Sequence, residues 1–134
     1  MRGIHVLLAG GLALMPPLWG GEKSDPAAPA GAVTYRTHCA TCHGATGQGD
    51  GPLAPRLRVA PPDLTKLSRK NGGKYPFDKV YRIVDGRDPV SGHGGGDMPV
   101  WGDTFLDSRD GYSPEKVKEK ITHLVQYLAT IQAQ

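Results

Sequence analysis

The most constraining feature of this 134-residue chain is Cys39-Ala40-Thr41-Cys42-His43, which contains both cysteines of the sequence and ends in a histidine. Residues three apart on a helix share a face, so both sulfurs could reach the two vinyl groups of one porphyrin. The pattern C-x-x-C-H is typical of covalent haem attachment, and it carries His43 beneath the ring. We therefore expect one haem c, bound through Cys39 and Cys42, with His43 as an axial ligand of the iron.

Other sites built on C-x-x-C fit this chain less well. A thioredoxin-like motif follows a strand and opens a helix in an α/β pattern, and the flanking sequence has no such pattern. A structural zinc site needs about four ligands, and the chain has no second cysteine pair. A disulfide between the two cysteines would leave the adjacent histidine unexplained.

The second axial ligand is expected to be Met98. Electron-transfer haems of the c type are commonly held by histidine and methionine, and Met98 is the only methionine beyond residue 15. It lies in a glycine-rich segment whose backbone can approach a ring closely, and Pro99 stiffens the chain directly after it. His93 is the alternative ligand in the same segment.

The sequence resembles the small monohaem cytochromes c with His/Met ligation that are found in bacterial periplasms. The resemblance spans residues 30 to 132 and rests on four segments, residues 39–44, 47–52, 61–64 and 97–102. It implies an all-α cytochrome c fold with three main helices and long loops wrapped around one haem. It also implies that a proline carbonyl, about a dozen residues after the motif, accepts a hydrogen bond from His43. Pro55 lies at that distance, and Pro52 is a second candidate.

Three helices are predicted, over residues 31–42, 77–84 and 113–131. The second has apolar residues at the i, i+3, i+4, i+7 spacing and ends at a glycine. The third begins with Ser113 as cap and proline at the first helical position. A short helix is expected near residues 64–69, and residues 86–112 are expected to form the methionine loop. The resemblance further implies that the first and last helices cross, with Gly31 and Tyr35 against Leu124 or Tyr127.

The N-terminal 21 residues have the pattern of a secretory signal, with one arginine and a short apolar stretch. An uncleaved anchor is the alternative. Residues 22–30 are expected to be a flexible segment, and residues 31–134 the cytochrome c domain. Because haem attachment in the resembled family follows export, we expect a periplasmic protein, with membrane contact only if the leader stays in place.

Basic residues cluster between positions 56 and 79 and could form a rim around a haem edge. They are Arg56, Arg58, Lys66, Arg69, Lys70, Lys74 and Lys79. Such a rim would steer the protein to an acidic redox partner, whereas the alternative is an ordinary solvated surface. Arg56 and Trp101 are the candidates for contact with the haem propionates. Nucleic acid is not an expected partner, because the chain is exported and lacks a binding motif.

The expected function is one-electron transfer by a carrier between a donor and an acceptor protein, and not enzymatic turnover. Two alternatives compete with it. The domain could be a fixed haem subunit of a larger oxidoreductase. It could also be a haem enzyme or gas sensor with an open iron position, which requires that Met98 does not bind.

Overall fold

The computed structural model describes residues 27–88 and 98–133, and their regular secondary structure is helical. The six α-helices are α1 (Ala27–His38), α2 (Ala40–His43), α3 (Leu67–Lys70), α4 (Phe77–Asp85), α5 (Trp101–Leu106) and α6 (Pro114–Thr130). Two short 3₁₀ helices, Ala54–Arg56 and Leu64–Lys66, lie in the long connection between α2 and α3. The all-α prediction is confirmed. The predicted leader, residues 1–21, lies outside the described residues.

The first predicted helix is divided into α1 and α2 at Cys39. Hydrogen bonds continue across the break, because Cys39 N donates to the Tyr35 carbonyl at 2.8 Å and His43 N donates to the Cys39 carbonyl at 2.8 Å. Helix α1 begins at Ala27, so the last four residues of the segment expected to be flexible are helical. The attachment motif therefore continues the hydrogen-bonded turns of α1.

Helices α1 and α6 cross at Gly31, as the resemblance implies. A Cβ atom at Gly31 would overlap the backbone carbonyl of His123 and would lie 2.7 Å from the Cβ of Tyr127. Only glycine permits so close a backbone approach. One turn later, the rings of Tyr35 and Tyr127 lie 5.4 Å apart between their centroids. The predicted contact of Gly31 and Tyr35 with Tyr127 is confirmed.

The two other predicted helices are confirmed with nearly the same ends. Helix α4 stops at Gly86, whose φ of 92° is left-handed and whose N–H donates to the carbonyls of Arg82 and Ile83. The Ser113 side chain accepts a hydrogen bond from Lys116 N at the start of α6. The short helix predicted near residues 64–69 corresponds to Leu64–Lys66 followed directly by α3.

The prediction that the whole segment 86–112 forms a loop is wrong, because helix α5 lies within it. Trp101, Gly102 and Phe105 are buried on this six-residue helix. A helix this short has little stability of its own and depends on tertiary packing, here on α4 and α6. The glycines and Pro99 beside it in the sequence favour a loop, so the sequence did not predict this helix. Residues 89–97, including His93, lie outside the described residues.

The core lies between α1, α4, α5 and α6. Its fully buried side chains are Tyr35, Ile121, Leu124 and Val125. Three of these four come from α6, and the other helices pack against its apolar face. Over residues 27–88 and 98–133, none of the helices has both the length and the apolar character needed to cross a membrane.

Candidate haem site

A cavity of about 490 Å³ opens between the core helices and the long connection that follows the attachment motif. Its volume lies within the range of small-molecule and cofactor pockets, and such pockets are mostly apolar. The apolar side chains of its wall are Tyr35, Val59, Leu64, Leu67, Val80, Ile83, Val84, Leu124 and Leu128. Lys70, Asn71 and Lys79 supply polar lining. The cavity is therefore an apolar slot with cationic side chains on part of its boundary.

The attachment motif meets this cavity through its first cysteine and its histidine. Cys39 lines the cavity and is only 8% exposed, while Cys42 is half-buried and stands outside the lining. Burial raises the pKa of the Cys39 thiol to about 12, and the neighbouring Cys42 adds to the effect. The thiol is therefore protonated at neutral pH and is not the thiolate that binds metals.

His43 is buried in the wall of the cavity, with 6% of its surface exposed. Burial lowers the pKa of its imidazole, and the hydrogen bond to the Pro62 carbonyl raises it in part. Nδ1 lies 3.4 Å from that carbonyl oxygen. A neutral imidazole that donates from Nδ1 keeps its lone pair on Nε2, which is the state needed to bind a metal.

The acceptor for His43 is therefore Pro62, and the expectation of Pro55 is corrected. Pro55 is exposed in the 3₁₀ helix Ala54–Arg56 and does not line the cavity. Pro52 is likewise exposed. Gly49 packs closely on this part of the chain, since a Cβ there would overlap the carbonyl oxygen of Pro61 and would lie 3.3 Å from the carbonyl carbon of Pro62. The connection folds back at this point and brings a proline 19 residues away to the imidazole.

Met98 lines the same cavity as His43 and is half-buried against the core. The structure thus brings together the two side chains that the sequence analysis paired as axial ligands. The alternative ligand, His93, lies outside the described residues, so its position relative to the cavity is not described.

Trp101 also lines the cavity and is 8% exposed. Its Nε1 is buried and has no hydrogen-bond partner among the described residues. Arg56, the other candidate for contact with a propionate, is exposed and is not part of the lining, so its contact with a propionate stays a prediction.

Two aromatic residues hold the motif and Trp101 in place. The Tyr35 hydroxyl, buried with the rest of its side chain, donates to the Gly44 carbonyl at 2.7 Å and so fixes the residue after His43. The His38 ring lies 5.2 Å from the rings of both Trp101 and Phe105. The hydroxyl of Tyr35 was missed in the sequence analysis, which treated that residue only as part of the helix crossing.

These observations fit a haem group. The cavity is apolar, and it is lined by a thiol, an imidazole and a thioether. An all-helical domain with these features defines a c-type cytochrome. The family model described as cytochrome C oxidase, cbb3-type, subunit III matches residues 26–128, and the chain belongs to this family. Neither a curated protein nor a solved structure matches the chain significantly.

Membership of the family establishes the general activity. Its cytochrome c domains carry covalently attached haem c with iron and transfer electrons to and from redox partners. They are typically extracytoplasmic. The chain is therefore a haem-dependent electron carrier, with redox proteins as its partners.

Proposed function

We propose that this chain carries one haem c bound through Cys39 and Cys42, with its iron between His43 and Met98. The observation that carries the proposal is the convergence of Cys39, His43 and Met98 on one apolar cavity. When bound, haem c supplies a one-electron ferric/ferrous couple, and His/Met ligation raises its potential relative to two histidines.

Each residue of the site has a distinct role in this proposal. The carbonyl of Pro62 holds the Nδ1–H of His43 and so sets the orientation of the imidazole. Met98 fills the sixth position and keeps small ligands away from it. The apolar wall excludes water, and Trp101, which lines the cavity, is the proposed contact of a propionate.

The attachment is tested by the mass of the protein purified after export. We expect the mass of one haem on the wild-type chain and no covalent haem on the C39A/C42A double variant.

The ligand is tested with M98A and with H93A as its matched control from the same glycine-rich segment. M98A should keep its haem, lose potential and bind CO or cyanide, whereas H93A should resemble wild type. The reverse result would give the sixth position to His93.

For its setting, we infer a periplasmic carrier in a respiratory or oxidative chain that has no turnover of its own. The printed name of the family, a subunit of cytochrome c oxidase, favours a second setting in which the domain is a fixed haem subunit of a larger complex. Gentle purification from native membranes and periplasm separates the two. A monomer in the periplasmic fraction supports the carrier, and stable co-purification with membrane subunits supports the fixed subunit.

For its partner, we infer an acidic redox protein that docks at the cavity mouth. Lys70 and Lys79 line the cavity and are exposed, so their charges can act on an approaching partner. Lys66 is less available, since it pairs with Asp63. Electron transfer should slow as salt rises, because the Debye length falls from about 10 Å at 0.1 M to about 3 Å at 1 M.

Stopped-flow rates test this docking surface. K70E/K79E should slow the second-order reaction at low salt, where the steering charges are least screened. R109E/K116E is the matched control, since it makes the same change of charge at two exposed residues that do not line the cavity. Equal slowing in both variants, or a rate independent of salt, would refute the surface.

A further inference from the structure

We propose that Gln132, two residues beyond the end of α6, is a positioning residue for the iron ligand His43. It acts through the segment that follows Pro62. The inference rests on the proposed ligation of iron by His43.

The Gln132 side chain uses both ends of its amide on backbone groups. Nε2 donates to the Leu64 carbonyl at 2.8 Å and to the Leu128 carbonyl at 2.7 Å. Oε1 accepts from the Ser68 amide at 2.9 Å. One half-buried side chain thus joins the last turn of α6 to both ends of a stretch that lines the cavity through Leu64 and Leu67.

The backbone beside Gln132 strengthens the same attachment. Ala133 N donates to the Thr65 carbonyl at 2.7 Å, and Leu64 N donates to the Gly47 carbonyl at 2.7 Å. Leu64 is therefore held on one side by the loop after the attachment motif and on the other side by the C-terminal segment. These bonds fix the chain two residues beyond Pro62.

Pro62 depends on this support because a proline has no N–H with which to anchor itself. Its carbonyl accepts from His43 at 3.4 Å, whereas the usual N–H···O distance is about 2.7–3.2 Å. A contact this long is weakened by a small displacement. Loss of the Gln132 bond to the Leu64 carbonyl should therefore loosen the His43 bond before it disturbs the rest of the cavity.

The consequence for the iron follows from the chemistry of the ligand. Donation from Nδ1 makes the imidazole a more basic ligand, which stabilises ferric iron more than ferrous iron. A weaker bond to Pro62 should therefore raise the reduction potential and should let the Nδ1 proton exchange faster with water.

The experiment compares full-length holoprotein variants. Q132M keeps the length of the side chain without its hydrogen bonds, and Q132E keeps the acceptor for Ser68 but removes both donors. T130A is the matched control, because the exposed Thr130 bonds only to a carbonyl of its own helix, that of Tyr127. The readouts are the midpoint potential and the exchange rate of the His43 Nδ1 proton by NMR of the ferrous protein.

In both Gln132 variants we expect the ferrous-to-ferric equilibrium to shift toward ferrous by about threefold or more, or about 28 mV at about 59 mV per tenfold. Proton exchange should accelerate about tenfold, and T130A should match wild type. A loss of stability with unchanged potential and exchange would overturn the inference, and Q132E alone decides if Q132M fails to accumulate. The absence of an iron-bound His43 signal in the wild-type protein would instead refute the proposed ligation.

Discussion

Replacement of Gly31 by alanine perturbs the helix crossing that supports two walls of the haem cavity. Tyr35 of α1 and Leu124 of α6 both line that cavity, and the two helices meet at Gly31. The added methyl group would overlap the His123 carbonyl, a backbone atom that cannot rotate away. The helices must therefore separate, which also loosens the contact between Tyr35 and its partner ring on α6.

The expected size of the effect combines three terms. Alanine in place of glycine favours a helix by about 1 kcal/mol. Overpacking costs about 1–3 kcal/mol or more, and loss of an aromatic pair costs about 0.5–1.5 kcal/mol. We expect G31A to lower the free energy of unfolding by about 1–3 kcal/mol, which at about 4 °C per kcal/mol lowers Tm by about 4–12 °C.

The assay is denaturant and thermal unfolding of the ferric protein, with A30G as the control. Ala30 is exposed on the same helix, so A30G reports only the cost of glycine in a helix, up to about 1 kcal/mol. If propensity alone mattered, G31A would stabilise the protein by about as much as A30G destabilises it. Such a mirror-image result would refute the close crossing.

Three further predictions concern the haem and its surroundings. C39A/C42A should yield a largely unfolded apo chain by circular dichroism, because a small chain with 19 glycines and 12 prolines has a thin core of its own. A compact helical apo protein would contradict this. W101F should alter the potential, because Trp101 lines the cavity and is the proposed contact of a propionate, whereas an unchanged potential would show that it has no such contact. Hydrogen bonds from Lys66 and Thr65 lower the pKa of Asp63 to about 2. Because the pKa is depressed in the folded protein, ionised Asp63 stabilises the fold above the unfolded pKa of 3.8, and this stability is lost as pH falls toward about 2. D63N should therefore make the free energy of unfolding fall less steeply with pH in this range, and a fall as steep as that of wild type would refute the prediction.

The parts of the fold that could be predicted were those specified by local pattern. The stripe of α4, its terminal Gly86 and the cap at Ser113 each act within a few residues, and all three predictions are confirmed. Helix α5 could not be found in this way, because its six residues are helical only through burial of Trp101 and Phe105 against other elements.

The same distinction applies to the site: features set by local pattern could be predicted, and those set by the path of the loop could not. The spacing of the attachment motif and the choice of Met98 needed only the sequence, and the structure brings Cys39, His43 and Met98 to one cavity. The acceptor for His43 was misassigned because distance along the chain was used in place of the path of the loop. The connection turns back at Gly49, which packs on the carbonyl groups of Pro61 and Pro62, and this path brings the Pro62 carbonyl to His43.

The central claim, a haem iron held between His43 and Met98, is tested most directly by the near-infrared absorption of the oxidised protein. A thioether bound to ferric haem produces a weak band there that open or bis-histidine iron lacks. We predict that the wild-type protein and H93A show this band and that M98A loses it. A wild-type protein without the band, or an M98A variant that retains it, would contradict the account.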